Sequence, residues 1–524
     1  MKKKFLHIAI VAIVAAIGTA LPTSCYEDKG NYTYHELDEV VIDTANLGIQ
    51  TAYVVSRYDT IEISPKIYFN GHLVANEADA PSLSYVWTLY IATTSANSDY
   101  KVDTLGTSLH LKEAIKRGAG SYYVLLTVTN SNDGTQQYFK VSCSIEESIT
   151  AGWMMLYETA NDPTRSDVGL VVNPWVKKNI IKNREFFDLY RSSNGESLQG
   201  APVRILHTTI GLSADEVVIV TDRDMVGVNV GTFEKIINFG EFFYSAPAVC
   251  APTFYGTGTV SGRLEVIIND NKVHFVSHNA LSRTTFFGIP IGGDYGTLAP
   301  WASDTHAAAF AAVVYDQTAG RFLYLTSTAV KLANFAPQVD TAPFDVNNVG
   351  AELVMGDWGM TYHDRLIFRS GSNYYLGVAN FYSATATTNN VGQGWYDITA
   401  SPGIAQATTM AAAFSGIYVL YGSGSNVYNL KYASSTTADV LWTAPAGEEV
   451  TCVRLQKFYF TTLQTAMLPN AQKVMHVATW NESRKEGKLY QFEVNPASGE
   501  IVSLLYEYTV PGKIRDMAWK KAVE

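Results

Sequence analysis

A strand, a tight polar turn and a second aromatic-rich strand recur along the chain after residue 150. This unit begins at six positions: Asp215, Gly262, Gly320, Asp364, Ser415 and Gly487. Successive starts lie 47, 58, 44, 51 and 72 residues apart. A period near 50 with room for four short strands is typical of a β-propeller blade, because one blade cannot bury both of its faces alone. With a further blade at Trp153, the pattern predicts seven blades.

The chain also offers a strand that closes such a ring. "IRDMAWKK" from Ile514 is predicted to pair with the first blade, which removes exposed sheet edges. Two or three β-sandwiches are the alternative, because no WD, kelch or sialidase signature is present. One helix is predicted within residues 173–191, with Asn173 as its N-cap and Pro174 in its first turn.

Residues 39–148 have a different texture and form a separate predicted domain. Short alternating segments such as "LSYVWTLY", "GSYYVLLTVTN" and "QQYFKVSCSI" are bounded by Gly, Asn, Asp and Ser. This pattern predicts an immunoglobulin-like β-sandwich whose core contains Tyr85 and Trp87. The whole chain is therefore predicted to be all-β, a sandwich followed by a propeller over residues 150–524.

The first residues predict where the protein is located in the cell. Three lysines, a run of apolar residues and Thr23-Ser24 precede Cys25, which resembles a lipoprotein signal peptide over residues 1–24. The resemblance implies that the Cys25 thiol is lipidated and anchors the chain to a membrane. An ordinary signal peptide with an incidental cysteine is the alternative.

Residues 25–38 form a predicted acidic tether. Glu27 and Asp28 resemble the export signal that sends some Gram-negative lipoproteins to the outside of the outer membrane. A merely solvated tether would be equally acidic, so that explanation stays open.

Two further motifs extend the resemblance. The "YVW" strand at Tyr85 and the "GSYYVLLTVTN" segment resemble PKD domains, although the turn that usually follows the tryptophan is missing. Together with "CYEDKGNY" and "LDEVVID" they resemble the PKD-like family lipoproteins. The resemblance implies an accessory of a starch-utilisation (SusCD) type importer, with a TonB-dependent barrel and its lid lipoprotein as partners.

Composition excludes some functions. The formal net charge of −11 makes nucleic acid a poor partner. Besides Cys25, the scattered Cys143, Cys250 and Cys452 show no zinc spacing, so unpaired buried thiols are predicted.

The sequence contains few candidate catalytic or metal-binding motifs. GxSxG, HExxH, P-loop and GxGxxG patterns are absent. His274 and His278 lie four residues apart, too far along one strand face for a favoured metal pair. Asn269–Asn271 and Asp222–Asp224 are predicted to make hairpin turns, with a calcium site as the alternative. No cofactor is predicted.

A glycan-cleaving enzyme remains an alternative function. Two acids from different blades can form a hydrolytic pair whatever their sequence spacing. The acids to watch are Asp345, Asp357, Asp364 and Asp397.

Ligand binding is the favoured function. Loops around a propeller funnel commonly carry aromatic side chains that contact sugars or peptides. Five tryptophans lie in loop-like sequence and are the predicted binding residues: Trp175, Trp301, Trp358, Trp395 and Trp442. Trp301 and Trp395 are the strongest candidates for exposed recognition, whereas Trp87, Trp153 and Trp480 are assigned to cores.

These observations predict a non-catalytic lipoprotein of the outer membrane that faces the cell exterior. It would bind peptide or glycan, or its importer partners, without a cofactor. A purely structural subunit of the importer is the third alternative.

Overall fold

A computed structural model of the chain describes residues 38–44, 49–57, 59–92, 102–146, 149, 151–178, 180, 183–210, 214–258, 264–277, 286–305, 310–339, 341–385, 390–457 and 468–521. The predicted leader, Cys25, Glu27 and Asp28 lie outside these residues. No helix in the described ranges is both long and apolar enough to cross a membrane.

The described residues of the N-terminal part include ten strands. They are β1 (Val40–Asp43), β2 (Ala52–Ser56), β3 (Thr60–Ile63), β4 (Lys66–Phe69), β5 (His72–Leu73), β6 (Leu83–Ile91), β7 (Asp103–Gly106), β8 (Leu111–Ala114), β9 (Gly120–Asn130) and β10 (Gln136–Glu146). The largest sheet has the order β2-β10-β9-β6-β7, and β1-β4-β5 and β3-β8 form two smaller sheets.

Alternating apolar residues of these strands form one core. Tyr85 and Trp87 are 3% and 1% exposed, which confirms their predicted place there. The Trp87 indole donates a hydrogen bond to the Ser108 carbonyl at 2.9 Å, so its polar atom is satisfied inside the core.

The remaining strands form seven antiparallel sheets in the described part of residues 152–520. The first two sheets contain β11 (Gly152–Thr159), β12 (Asp162–Val172), β13 (Arg184–Phe186) and β14 (Leu198–Gln199), then β15 (Pro202–Ile210), β16 (Ala214–Thr221), β17 (Met225–Asn229) and β18 (Lys235–Asn238). The next two contain β19 (Pro252–Gly258), β20 (Leu264–Asn269) and β21 (Lys272–Ser277), then β22 (Leu298–Ala302), β23 (Phe310–Asp316), β24 (Arg321–Thr326) and β25 (Ala333–Asn334).

Three sheets complete the series. They contain β26 (Glu352–Trp358), β27 (Asp364–Ser370), β28 (Asn373–Ala379) and β29 (Gly392–Asp397), then β30 (Thr409–Ala412), β31 (Val419–Ser423), β32 (Asn426–Leu430) and β33 (Asp439–Thr443), then β34 (Glu449–Leu455), β35 (Val474–Asn481), β36 (Glu486–Val494) and β37 (Ile501–Val510). The last strand, β38 (Gly512–Lys520), returns to the first sheet.

The sheets close into a ring. β38 pairs antiparallel with β11, with Trp519 opposite Trp153, as the sequence predicts. The inner strands contact one another in the circular order β38, β15, β19, β22, β26, β30, β34 and again β38. This arrangement is a β-propeller and excludes the alternative of separate sandwiches after residue 150.

The helix predicted within residues 173–191 is wrong for most of its length. Residues 174–178 form a turn, and residues 184–186 form the edge strand β13. The Asn173 side chain caps only that turn, accepting a hydrogen bond from the Trp175 amide at 2.9 Å. The α-helix α1 (Leu189–Asn194) begins near the end of the predicted segment. Pairing with β12 therefore prevails over the helical spacing of the apolar residues.

The core predictions for the propeller are confirmed. Trp153 and Trp480 are 2% and 5% exposed, and Trp153 stacks on His476 with ring centroids 3.6 Å apart. Cys143, Cys250 and Cys452 are unpaired thiols, two of them buried.

Candidate functional site

A cavity of about 190 Å³ lies where the inner strands of the ring converge. Most of its lining comes from the carboxyl-terminal halves of these strands, for example Thr257 in β19, Trp301 in β22, Trp358 in β26, Leu455 in β34 and Trp519 in β38. Residues far apart in the sequence therefore share one small space. A concave site with a few converging polar groups is the ordinary form of a ligand site.

Three ion pairs connect different sheets across the cavity. Arg204 Nη2 lies 2.6 Å from Asp304 Oδ2, and Arg454 Nη2 lies 2.6 Å from Asp516 Oδ1. The third pair joins Lys457 to Asp357. Asp516 also accepts a hydrogen bond from the Ile205 amide at 3.0 Å, so it ties the closing strand to two further sheets. Each of the three cations in the lining is thus matched by a carboxylate.

Lys457 is held by more than its carboxylate partner. Its Nζ atom donates to the carbonyl oxygens of Trp358 and Ala412, the latter at 2.9 Å. Burial lowers the pKa of Lys457, while the neighbouring Asp357 opposes that shift. The amine is therefore fixed in place by acceptors from two adjacent sheets.

Asp364 is the acid with the most perturbed environment in the cavity. It is 1% exposed and accepts a hydrogen bond from Ser303 Oγ at 2.6 Å. Burial raises its pKa to about 7; the Ser303 bond opposes this shift, and the nearby carboxylates of Asp304 and Asp357 add to it. Near neutral pH, Asp364 therefore exists partly as a protonated carboxyl group.

An aromatic cluster lies beside the cavity, on the turn after β26 and on neighbouring loops. Trp358 packs 5.6 Å from Phe414 and 6.2 Å from Tyr362, measured between ring centroids. Tyr362 lies 5.0 Å from Phe414 and 4.9 Å from Tyr382. Trp358 is 8% exposed, whereas Tyr362, Tyr382 and Phe414 are half-buried. We call these four residues the aromatic rim.

The turn that presents Tyr362 has an unusual backbone. Thr361 and Tyr362 have φ values of 61° and 59°, a region that non-glycine residues with large or branched side chains rarely occupy. The buried Arg365 stabilises it by donating to the carbonyl oxygens of Met360 and His363 at 2.8 and 2.6 Å. Backbone strain that surrounding contacts hold in place is found most often at functional sites.

Two of the five predicted binding tryptophans line the cavity, namely Trp301 and Trp358. The expectation that Trp301 is exposed is wrong, because it is only 7% exposed. Its position after Pro300 resembles a loop, but residues 298–302 form the inner strand β22, which packs Trp301 against Phe322 and Phe381.

The other three tryptophans lie elsewhere. Trp395 is half-buried on the outer strand β29 and stacks on Tyr375 at 5.1 Å, which corrects its predicted exposure. Trp442 packs on Tyr490 from the outer strand β33, and Trp175 lies in the turn after β12. Their part in ligand binding stays a prediction.

The four acids proposed as candidates for hydrolysis lie in two different environments. Asp357 and Asp364 meet in the cavity, whereas Asp345 and Asp397 accept hydrogen bonds from backbone amides within turns. Both acids lie at the same end of the β26–β27 pair, where Trp358 is opposite Asp364, and the charge of Asp357 contributes to the raised pKa of Asp364.

The candidate metal positions form turns or packing contacts. Asp270 and Asn271 have left-handed φ values of 48° and 58°, typical of a two-residue hairpin turn. Asp222 accepts a hydrogen bond from the Ala201 amide, and Asp224 accepts one from the Met225 amide. His274 is buried against the Gly288 carbonyl, and His278 lies outside the described residues. In the described ranges no three His, Cys, Asp or Glu side chains are arranged for a metal ion.

Sequence reasoning missed the cations of the cavity and their partner Asp516. Arg204, Arg454, Lys457 and Asp516 come from strands up to about 300 residues apart, and no spacing rule connects them. One signal was present. Each interrupts an apolar strand pattern, in "VRIL", "CVRLQK" and "IRDMAW", and a charge inside such a pattern indicates a buried partner.

Comparisons with known proteins identify a family for the N-terminal third of the sequence. Residues 25–202 match the sequence profile of the PKD-like family. The match therefore covers the sandwich and continues through the first sheet of the propeller to the start of β15. No curated protein matches the sequence.

Several solved structures are similar in outline. A quinonprotein alcohol dehydrogenase-like protein from Bacteroides thetaiotaomicron has a TM-score of 0.43 at 11% identity, over 92% of this chain and 99% of that one. Lignostilbene dioxygenase from Pseudomonas brassicacearum has a TM-score of 0.41 at 9% identity, over 72% and 93%. A Synechocystis apocarotenoid oxygenase has a TM-score of 0.36 at 8% identity, over 84% and 93%. Likenesses at this level assign neither an activity nor a cofactor to this chain.

Proposed function

We propose that this chain is a lipid-anchored protein of the outer membrane that faces the cell exterior and binds a nutrient, peptide or glycan, beside a TonB-dependent importer of the SusCD type. The observation that carries the binding role is the cavity at the centre of the ring, bordered by the aromatic rim. The address rests on Cys25, with its apolar leader and the acidic residues Glu27 and Asp28 behind it.

The geometry supports binding in two ways. The half-buried rings of Tyr362, Tyr382 and Phe414 offer apolar contact area to a ligand. Their packing against one another already restricts their side-chain rotamers. Accessible edges of Asp304 and Asp357, whose side chains are 21% and 20% exposed, offer polar contacts close by. A rigid ring that carries both kinds of contact costs little to organise when a ligand arrives.

The anchoring part is tested with Cys25→Ser in the native bacterium. We expect the wild-type protein to incorporate labelled palmitate, to sediment with outer membranes and to be cleaved by protease added to intact cells. The variant is expected to lose the label and the sedimentation. A variant that still sediments with membranes would overturn the lipid anchor.

The importer part is tested by affinity purification of the wild-type protein from detergent-solubilised membranes. Recovery of a TonB-dependent barrel and its lid lipoprotein in stoichiometric amounts supports the proposal. Recovery of the partners without any ligand binding by the purified protein would instead favour a purely structural subunit.

A glycan-cleaving enzyme is a second candidate because Asp357 and Asp364 line the same cavity and Asp364 retains a proton near neutral pH. One carboxyl group that donates a proton and one that is ionised are what glycoside hydrolysis requires. Release of reducing sugar from a polysaccharide pool that is abolished by Asp364→Asn would establish this function. Absence of turnover by the wild-type protein would leave the binding role.

A further inference from the structure

We propose that the cavity receives one terminal residue of a neutral glycan, end-on, while the aromatic rim contacts the residues that follow it. This inference rests on the proposed binding function and narrows its ligand from peptide or glycan to one class.

The first argument is charge. Each of the three cations in the lining, Arg204, Arg454 and Lys457, is already paired with a carboxylate. A negatively charged ligand group would have to break one of these pairs or remain unpaired near the carboxyl group of Asp364, and either is costly. A ligand without formal charge avoids both costs.

The second argument is the set of hydrogen-bonding atoms that remain unused. Trp301 lines the cavity and is only 7% exposed. In the described part of the chain, no group accepts a hydrogen bond from its Nε1 atom. Asp304 and Asp357 accept hydrogen bonds through Oδ2, and among the described residues Oδ1 of each has no partner. The cavity thus offers both a donor and acceptors. A sugar hydroxyl matches such a mixture because it donates and accepts at once.

The third argument is size. A cavity of about 190 Å³ is smaller than the ~300–1,000 Å³ of clefts that enclose whole drug-sized ligands. Only a small unit or the end of a chain can enter it. The aromatic rim begins at Trp358, which belongs to both the cavity and the rim, so the next residues of an entering polymer meet Tyr362 and Phe414. These rings can stack against the apolar faces of sugar rings.

A peptide suits the site less well. Its carboxylate end would meet cations that are already paired with Asp304 and Asp357, and it would also lie near the carboxyl group of Asp364.

The test is affinity electrophoresis and calorimetry with the mature protein. The probes are a neutral α-glucan, β-glucan, mannan and galactan, an acidic polygalacturonate and a tryptic digest of casein. Trp301→Phe removes the indole N–H and keeps an aromatic ring, and Tyr138→Ala, which removes an exposed tyrosine of the sandwich, is the matched control.

We expect at least one neutral glycan to bind, and binding to weaken about tenfold in Trp301→Phe, the effect of losing one hydrogen bond worth about 1.4 kcal/mol. Binding should be unchanged in Tyr138→Ala. Equal thermal unfolding of the two variants shows that the loss is local.

Three results would overturn the inference: binding of the casein peptides or of polygalacturonate in place of neutral glycans, no binding of any neutral glycan, or unchanged affinity in Trp301→Phe. Peptide binding that depends on Trp301 would overturn the inference and leave the proposed binding function standing. Loss of the proposed surface location is detected separately with Cys25→Ser.

Discussion

Lys457 Nζ lies 4.5 Å from the centroid of the Trp358 ring, directly over a residue that belongs to both the cavity and the aromatic rim. The same amine pairs with Asp357. Lys457, which follows β34, therefore contacts two side chains of β26, Asp357 and Trp358. The sheet that contains β30 lies between the sheets of β34 and β26 in the ring. This contact links the cavity lining of two sheets that are not neighbours in the ring.

Replacing Lys457 with Met tests the energetic weight of that contact. Asp357 would keep its charge in a place that is only 20% exposed, without its partner. Removing one member of a buried pair typically costs about 3–5 kcal/mol, and we expect the free energy of unfolding in urea to fall by about this amount. The double variant Lys457→Met with Asp357→Asn is the control and should recover most of the loss. Equal loss in both variants would show that the charge on Asp357 is not the cause.

Asp364 predicts a pH dependence of stability whose sign is fixed. Its folded pKa is about 7, above its ordinary value of 3.8. Between these values the folded state holds a proton that the unfolded state has lost, so stability should fall as pH rises from about 4 to about 7. Asp364→Asn carries no charge at any pH and can still accept the Ser303 hydrogen bond.

The measurement is the urea midpoint of wild type and Asp364→Asn at pH 5 and pH 8. We expect the stability of the variant relative to wild type to increase by up to about 3 kcal/mol between pH 5 and pH 8, because two units of this interval lie below the folded pKa of about 7. A difference between the two proteins that is the same at both pH values would contradict the assignment.

Ring closure predicts an intolerance at Gly512, the first residue of β38. A Cβ atom there would lie 2.2 Å from the Glu158 carbonyl oxygen and 2.4 Å from Tyr157 Cδ2. The two strands must separate to accept it, and overpacking of this kind costs about 1–3 kcal/mol or more. We expect Gly512→Ala to lower the thermal midpoint. Gly288→Ala, which meets nothing within 4 Å, is the matched control and should leave it nearly unchanged.

The strained turn of the aromatic rim gives a prediction of opposite sign. Thr361 is β-branched and has a φ of 61°, a conformation that costs an L-residue about 1–2 kcal/mol relative to glycine. Thr361→Gly should therefore raise the free energy of unfolding by up to about 1 kcal/mol once the added chain entropy is subtracted. Lower stability in the glycine variant would show that the turn is not strained.

Much of the fold could be predicted from the sequence, because strand alternation and turn residues are local signals. The irregular offsets of the repeated unit have a simple origin. The units from Asp215, Gly262, Asp364 and Ser415 contain the second and third strands of their sheets, as in β16–β17. The units from Gly320 and Gly487 are the outer pairs β24–β25 and β36–β37, which have the same texture. That change of pair produces the long offsets of 58 and 72 residues.

The candidate site was predicted less well, because its residues come together only through ring closure. Trp301 and Trp358 were identified from their aromatic character, but the predicted exposure of Trp301 ignored that Pro300 can lie within an inner strand. Arg204 and Asp304 are 100 residues apart and connect two sheets that are not neighbours. Periodicity within a strand carries no information about such pairs.

The central claim is that the ring's cavity and its aromatic rim form the binding surface, and the most direct measurement is the affinity of a rim variant. Tyr362→Ala with Phe414→Ala removes two half-buried rings, and Tyr138→Ala again serves as the control. Calorimetry is done with whichever glycan or peptide pool the wild-type protein binds. The dissociation constant should be at least tenfold larger for the double variant than for wild type, and unchanged for Tyr138→Ala. Unchanged affinity in the double variant would contradict the account.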